Sequence, residues 1–558
     1  MIEKLIGTFN PDQKEMFDIL NQNSKYQFRV PTGVGKGYVM ILHILYNIIT
    51  SDKSKFVISS HRLSLNNQHL RDLIDFYVDL KLIPDVKFLT VGSQALNINK
   101  LLADDYELAK KFNSQLFEFN FPLPIKDRMT QGDIFKTTLS KRDVNKIIKR
   151  NERDSFKTVI ITTYNSLNKL RDQDIDIIYL DEAHILASNQ EDAEFKNSYE
   201  LIKSDKRFFF TATPKDVEEE LIKDGGSDIF LMNNKEIFGE IYQIPFVKCV
   251  QSAYITKPCI HIAHPKNIDE NYNSIENKAK FVIETFTAHE KWLKSVSAIP
   301  DEIEPKMLVR CESVSHMWEM YNKLREELSN DITVCAGASY NEDGEANHVI
   351  DGEWERNRDE FIKKIQRVPD SKKMIILNFD IFSEGLNVSG ITGVMFLQGK
   401  MPSIAKVIQN IGRSTRLHVL DRARIRNGEI GVGNYSEWVK PYCAVIIPYW
   451  DAGSEFTKTL LASIVRKLRD RWEFDPHFIL SIGDDLGDGD DVDDLDMLNK
   501  LDSGDKRYKL IEIIQQEIEM MDLGNEVEKE RLYIETLSDE ERIKYILIKE
   551  NPELEGLI

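Results

Sequence analysis

The sequence predicts an α/β protein of two doubly wound parallel-sheet lobes followed by a helical C-terminal module. Three observations lead there. Short runs rich in β-branched and aromatic residues, Phe56 to Ser59, Val159 to Thr162, Ile177 to Leu180 and Phe208 to Thr211, read as strands buried on both faces. Segments of helical period such as Leu65 to Leu80 separate them. A second set of the same kind follows: Met307 to Val309, Ile332 to Val334, Met374 to Leu377, Val394 to Leu397 and Ala444 to Ile447, with helices such as Val314 to Leu328 between. From Asp451 onward the strand signal stops, and two amphipathic patterns, Tyr508 to Met521 and Ser538 to Lys549, follow a run of aspartates. Ser538 and Glu541 fit a capping box at the start of the second. The expected division is a first lobe at 1–215, a connector at 216–305 with a long helix from Ile275 to Val296, a second lobe at 306–450, and an extension at 451–558.

With 558 residues the chain needs more than one core, and 42% hydrophobic against 30% charged residues is the balance of a chain that folds. The longest apolar stretch, Tyr38 to Ile49, contains His43 and Asn47 and is shorter than the ~20 residues a bilayer crossing requires, so no membrane span is expected. Met1 to Lys4 lacks a secretion signal's pattern, and Cys249, Cys259, Cys311, Cys335 and Cys443 are isolated from one another. A cytoplasmic, reduced protein without a cysteine-based zinc site is the expectation. The net charge of −19 argues against a phosphate-rich partner only as a sum. Asp484, Asp485, Asp488, Asp490, Asp491, Asp493, Asp494 and Asp496 hold much of the acidity, whereas basic stretches run from Lys141 to Lys157 and from Arg413 to Arg426.

The chemistry-bearing motifs lie at strand ends. Arg29-Val30-Pro31-Thr32-Gly33-Val34-Gly35-Lys36-Gly37 follows a short strand and precedes an apolar helix, the place of a loop whose backbone N–H groups converge on phosphate, with Lys36 reaching the outer phosphates. Alone it is also readable as a glycine-rich turn. Gly37 stands where a hydroxyl would hold Mg²⁺, so the cation is expected to rely on a carboxylate, the phosphates and water. Asp181-Glu182-Ala183-His184 follows the strand Ile177 to Leu180; Asp181 is expected to hold the metal and Glu182 to polarise the attacking water. Thr211-Ala212-Thr213-Pro214 ends another strand and offers hydroxyls to link the acidic motif to a nucleic-acid path. In Gln409-Asn410-Ile411-Gly412-Arg413-Ser414-Thr415-Arg416, two arginines three apart share a helical face and suit the charge on a transferring phosphoryl group. Phe382-Ser383-Glu384-Gly385-Leu386-Asn387 is a loop for the same cleft.

Taken in order, these motifs resemble the helicase superfamily 2 signature, DEAH-box type, over Thr8 to Pro448. The resemblance implies RecA-like lobes, ATP and Mg²⁺ as cofactors, and an adenine selector at Gln13 within Phe9-Asn10-Pro11-Asp12-Gln13, although Asn10 and Gln13 equally fit a capping box. It places the nucleotide against Phe9, Gln13, Pro31, Thr32, Gly33, Val34, Gly35, Lys36, Gly37, Gly385 and Asn387. Many relatives have aspartate at the Asn387 position, which puts the ribose contact in question. Gln409, Arg413 and Arg416 would join Lys36, Asp181 and Glu182 in catalysis. Ser59 to Ser64 and Thr162 to Leu167 resemble the nucleic-acid motifs, so His61, Arg62, Thr162 and Thr163 are the expected contacts. Ile237 to Tyr242, Ala253 to Pro258 and Ile404 to Ile408 are similar to the branch of type III restriction motor subunits and phage recombination helicases. The implied function is an ATP-dependent helicase or translocase on single-stranded, duplex or branched DNA, in recombination, repair or replication in a bacterial or phage-infected cell. An RNA helicase, a restriction or defence motor, and a weakly hydrolysing scaffold that recruits a protein partner through its C-terminal helices stay open.

Overall fold

The computed structural model describes residues 2–92, 101–103, 105–121, 123–187, 202–214, 232, 234–263, 274–338, 348–356, 358–379, 388, 390–397, 410–448 and 479–482. Gly385, Asn387, Gln409, the aspartate run and the two C-terminal helical patterns lie outside these residues.

Eight strands form the first sheet: β1 (Lys25–Arg29), β2 (Lys55–Ser60), β3 (Val86–Val91), β4 (Phe135–Thr138), β5 (Lys157–Thr163), β6 (Asp174–Asp181), β7 (Lys203–Thr211) and β8 (Glu240–Gln243). Their order is β4-β3-β5-β2-β6-β7-β1-β8, every neighbouring pair parallel. The central strands are apolar without alternation because helices cover both faces: Val159, Ile160, Ile161, Ile177, Ile178 and Phe208 to Phe210 are all buried. Phe28 of β1 stacks on Phe210 of the adjacent β7, ring centroids 4.8 Å apart. Short α1 (Ile2–Ile6) and α2 (Pro11–Gln22) precede the sheet, and α3 (Lys36–Thr50) and α4 (Leu63–Asp79) pack on one side.

The second sheet uses β9 (Lys257–Ala263), β10 (Lys306–Arg310), β11 (Thr333–Ala338), β12 (His348–Ile350), β13 (Glu353–Glu355), β14 (Met374–Phe379), β15 (Gly393–Phe396), β16 (Tyr442–Pro448) and β17 (Ile479–Ile482). Its order is β13-β12-β11-β14-β10-β15-β16-β9-β17, parallel except for the two-step antiparallel edge at β11, β12 and β13. Two doubly wound lobes are therefore present, as expected. The segment 216–305 contributes to both: β8 extends the first sheet beside β1, β9 enters the second beside β16, and the helix Ile275–Val296 packs on the helix Val314–Glu327 of the second lobe. The expectation that strands stop at Asp451 is corrected by β17, which pairs with β9; four residues are too few to show a period in sequence. Among the described residues, no helix is long and apolar enough to cross a membrane.

Among the buried histidines of the described residues are His43, His261 and His289. His43 bonds the Tyr179 hydroxyl at 2.6 Å, His289 bonds the Thr392 hydroxyl at 2.8 Å, and His261 packs edge-on against Trp292 at 4.4 Å. Burial, with smaller effects from Lys206 and Lys53, from His289 and from Lys440 respectively, pushes their pKa values down to about 3, about 3 and about 4. Unfolded, each would take a proton near pH 6.5. The folded form resists that proton, so their stabilising contribution is whole above about pH 6.5 and falls as pH drops towards 4. At about one pH unit below 6.5 the three together cost about 4 kcal/mol. Thermal midpoints should therefore fall steadily between pH 7 and pH 5; a flat profile would refute the assignment.

Candidate active site

The loop between β1 and α3 turns at Gly33 and Gly35, whose φ angles of +96° and +94° are open to glycine at little cost. A Cβ at Gly35 would also lie 2.5 Å from Gln13 Nε2, so that side chain would have to move to admit one. Lys36 is the first residue of α3, so the unpaired N–H groups of the first turn face the loop and favour an anion. Pro31 and Thr32 are half-buried, Gly33 is exposed and Val34 is buried beneath the loop.

Asp181 ends β6 and is 2% exposed, which makes its ionisation depend on partners. Burial alone would raise its pKa. The Lys36 charge, the His69 hydrogen bond and the Glu182 N–H outweigh burial and hold it down to about 2. Lys36 Nζ lies 3.5 Å from Glu182 Oε1 and 4.0 Å from Asp181 Oδ1. Burial opposes the lysine charge, but Glu182 and Asp181 prevail and raise its pKa. Glu182 takes a left-handed backbone (φ 55°), uncommon for a side chain that is not glycine, and its N–H donates to Asp181 Oδ1 at 3.0 Å. The loop lysine and both carboxylates thus meet at the carboxyl ends of β1 and β6, where an open parallel sheet binds ligands.

Further hydrogen bonds tie the neighbouring motifs to this centre. His184 Nδ1 lies 3.0 Å from Thr211 Oγ1 and 3.3 Å from Thr213 Oγ1, joining the acidic motif to the end of β7. Tyr164, just past β5, donates its hydroxyl to the Asp181 carbonyl at 2.5 Å. Gln13 serves two sites at once. Its Oε1 accepts from Asn10 N–H at 3.1 Å in a capping box, while Nε2 donates to the Val34 carbonyl at 2.9 Å. Phe9, half-buried, sits edge-on to Tyr38 at 5.6 Å beside the same loop.

The second lobe reaches the loop directly. A Cβ on Gly412 would lie 3.0 Å from Thr32 Cβ, and one on Gly33 would lie 3.8 Å from Arg416 Cγ and 3.2 Å from Ile255 Cγ2. Arg416 pairs across an isolated bridge with Ile255, and Thr256 N–H donates to the Thr415 carbonyl at 2.7 Å, so the strap into β9 grips the arginine motif. Arg413 is 6% exposed. His61 and Arg62 are half-buried past the end of β2, 3.2 Å apart through Nε2 and Nε. Thr162, expected as a nucleic-acid contact, has a fully buried side chain whose hydroxyl donates to the Val91 carbonyl at 3.1 Å within the sheet. Thr163, at the end of β5, is 9% exposed.

A phosphate chain fits the loop and Lys36, and a divalent cation fits the ionised Asp181. Among the described residues no three His, Cys, Asp or Glu side chains converge on one point, so such a cation would share its shell with phosphate oxygens and water. Two participants were not singled out from the sequence: His69, whose Nε2 bonds Asp181 Oδ2 at 2.9 Å, and Tyr164.

Residues 2–216 match the family described as "Type III restriction enzyme, res subunit". No curated protein matches the sequence. Among solved structures, the DNA-bound ATP-dependent type ISP restriction-modification enzyme LlaBIII is similar at TM-score 0.56 and 14% identity, over 92% of this chain and 33% of that one. A nuclease-deletion mutant of the type ISP enzyme LlaGI with a DNA substrate mimic follows at TM-score 0.48 and 14% identity, over 84% and 29%. Saccharomyces cerevisiae Dbp5 bound to RNA and ADP with beryllium fluoride gives TM-score 0.46 and 12% identity, over 91% and 93%. The chain spans about a third of the length of the first two. The first lobe is thus similar to the res subunit of type III restriction enzymes, and the two-lobed parallel-sheet fold is similar to that of the type ISP enzyme LlaBIII.

Proposed function

We propose that this chain hydrolyses ATP, with Mg²⁺, in the cleft between its lobes and uses the cycle to translocate along or unwind DNA. The observation that carries the reading is the meeting of Lys36, Asp181 and Glu182 in the first lobe with Arg416 of the second beside Gly33. Lys36 neutralises the outer phosphates, Glu182 orients the attacking water, and Arg416 approaches the transferring group from the opposite lobe. Bound Mg²⁺ would supply charge neutralisation along the phosphates, with Asp181 holding it. The contact of Arg416 with the loop closes when the lobes close, so hydrolysis and lobe movement are coupled through one side chain. The res-subunit match and the DNA-bound type ISP fold neighbour support DNA over RNA. Duplex or branched DNA in recombination, repair, replication or restriction is the proposed substrate.

The test is steady-state ATP hydrolysis across single-stranded DNA, duplex, fork, four-way junction and RNA. Duplex or branched DNA should stimulate most, by about tenfold or more over basal, with loss of stimulation at high salt as phosphate contacts are screened. Equal or greater stimulation by RNA would overturn the DNA assignment, and no stimulation by any would overturn the motor reading.

A further inference from the structure

The first turn of α3 carries Gly37 directly after Lys36, so the helix offers a divalent cation no side-chain oxygen there. The space beside Gly37 is filled from α4 instead. His69, 3% exposed, lays its ring there: a Cβ on Gly37 would lie 3.7 Å from His69 Cε1 and 4.0 Å from Nδ1. The same ring reaches Asp181 Oδ2 through Nε2 at 2.9 Å. The imidazole therefore spans from the position a hydroxyl would occupy to the carboxylate that holds the metal.

The two oxygens of Asp181 are differently engaged. Oδ1 accepts the Glu182 N–H and faces Lys36, whereas Oδ2 faces His69. Adjacent donors on an octahedral cation at about 2.1 Å each are separated by about 3 Å. The 2.9 Å between Nε2 and Oδ2 is that separation, so both atoms can bind one cation as neighbouring ligands without moving apart. On binding, the hydrogen bond between them gives way to two metal bonds: the proton on Nε2 passes through water to Nδ1, so the neutral imidazole presents a bare Nε2 to the cation.

Resting on the ATP-site reading above, we propose that His69 is a direct ligand of the nucleotide-borne divalent cation, taking the place of the hydroxyl that Gly37 lacks. Two protein donors, Nε2 and Oδ2, then share the shell with phosphate oxygens and water. A nitrogen donor favours Mn²⁺ over Mg²⁺, since Mg²⁺ prefers an all-oxygen shell. The site is thereby tuned to use Mn²⁺ as readily as Mg²⁺ or better.

The experiment uses the full chain with Mn²⁺ and the non-hydrolysable analogue AMP-PNP, in wild type, His69→Asn and the double variant His69→Asn with Gly37→Ser. Asparagine can still hydrogen-bond Asp181, so it separates ligation from positioning. Pulsed electron paramagnetic resonance of bound Mn²⁺ should detect a directly coordinated imidazole nitrogen in wild type and none in His69→Asn. Nucleotide binding by fluorescence should need about tenfold less Mn²⁺ than Mg²⁺ in wild type. That ratio should fall towards one in His69→Asn, and Gly37→Ser should recover Mg²⁺-dependent binding. No nitrogen coupling in wild type, or an unchanged Mn²⁺ to Mg²⁺ ratio in His69→Asn, overturns the ligand assignment while nucleotide binding itself persists. Failure of wild type to bind the nucleotide with either metal overturns the ATP-site reading and this inference with it.

Discussion

Glu182→Gln should bind ATP with near wild-type affinity and turn it over about 10²- to 10⁴-fold more slowly, the range expected when a group that handles the reacting proton is neutralised. The residue leaves β6 in a left-handed conformation that sets its carboxylate 3.5 Å from Lys36 Nζ, in the same cleft as the loop. Glutamine keeps the shape and the backbone, so the fold and the loop should be unaffected. What it loses is the basicity that draws a proton from water as the phosphoryl group is attacked. Lys36→Ala should behave differently. It removes the cation that faces the outer phosphates and leaves Asp181 and Glu182 close together without their shared counter-charge, so nucleotide binding itself should weaken. Fluorescent-nucleotide titration beside steady-state hydrolysis separates the two cases. Wild-type turnover in either variant would mean the reacting phosphate sits elsewhere.

The parts of the fold legible in the sequence were those whose burial is uniform. Val159 to Thr162 and Phe208 to Phe210 are inside on both faces, and an unbroken apolar run records that directly. β9 was missed because it reads Lys-Pro-Cys-Ile-His-Ile-Ala, with the buried imidazole of His261 interrupting the apolar signal. β13 carries an exposed Trp354 on an antiparallel edge, and β8 has no buried residue. The site divides along a related line. Loop and acidic motif are contiguous in sequence, so their residue types announce them. His69 and Asp181 lie 112 residues apart, and a histidine within Leu63–Asp79 carries no spacing that marks it. Gln13 shows the reverse: the capping box visible in the sequence is real, and the same side chain also holds the phosphate loop through Val34.

Arg416→Ala should lower nucleic-acid-stimulated hydrolysis by about 10³-fold or more while changing nucleotide affinity much less, because the guanidinium acts on charge that develops only during transfer. Its backbone is fixed from several sides: the bridge to Ile255, the Thr256 N–H on the Thr415 carbonyl, and Lys440 Nζ donating to the Arg416 carbonyl at 2.7 Å. The side chain leaves this frame beside Gly33, with Cγ 3.8 Å from where a Cβ on that glycine would be. Burial, and less strongly Arg422, lower its pKa to about 10, which leaves it charged at neutral pH and weakly shielded by water. Arg416→Lys should not restore turnover, since an ammonium on a flexible stem cannot reproduce a planar fork held in one orientation. Arg413 is more deeply buried on the same segment, and its removal should also disturb the packing of the motif and lower thermal stability. The comparison is read from single-turnover hydrolysis and melting curves of both alanine variants. Full activity in Arg416→Ala would show that the second lobe does not complete the site, and the approach to Gly33 would then be packing alone.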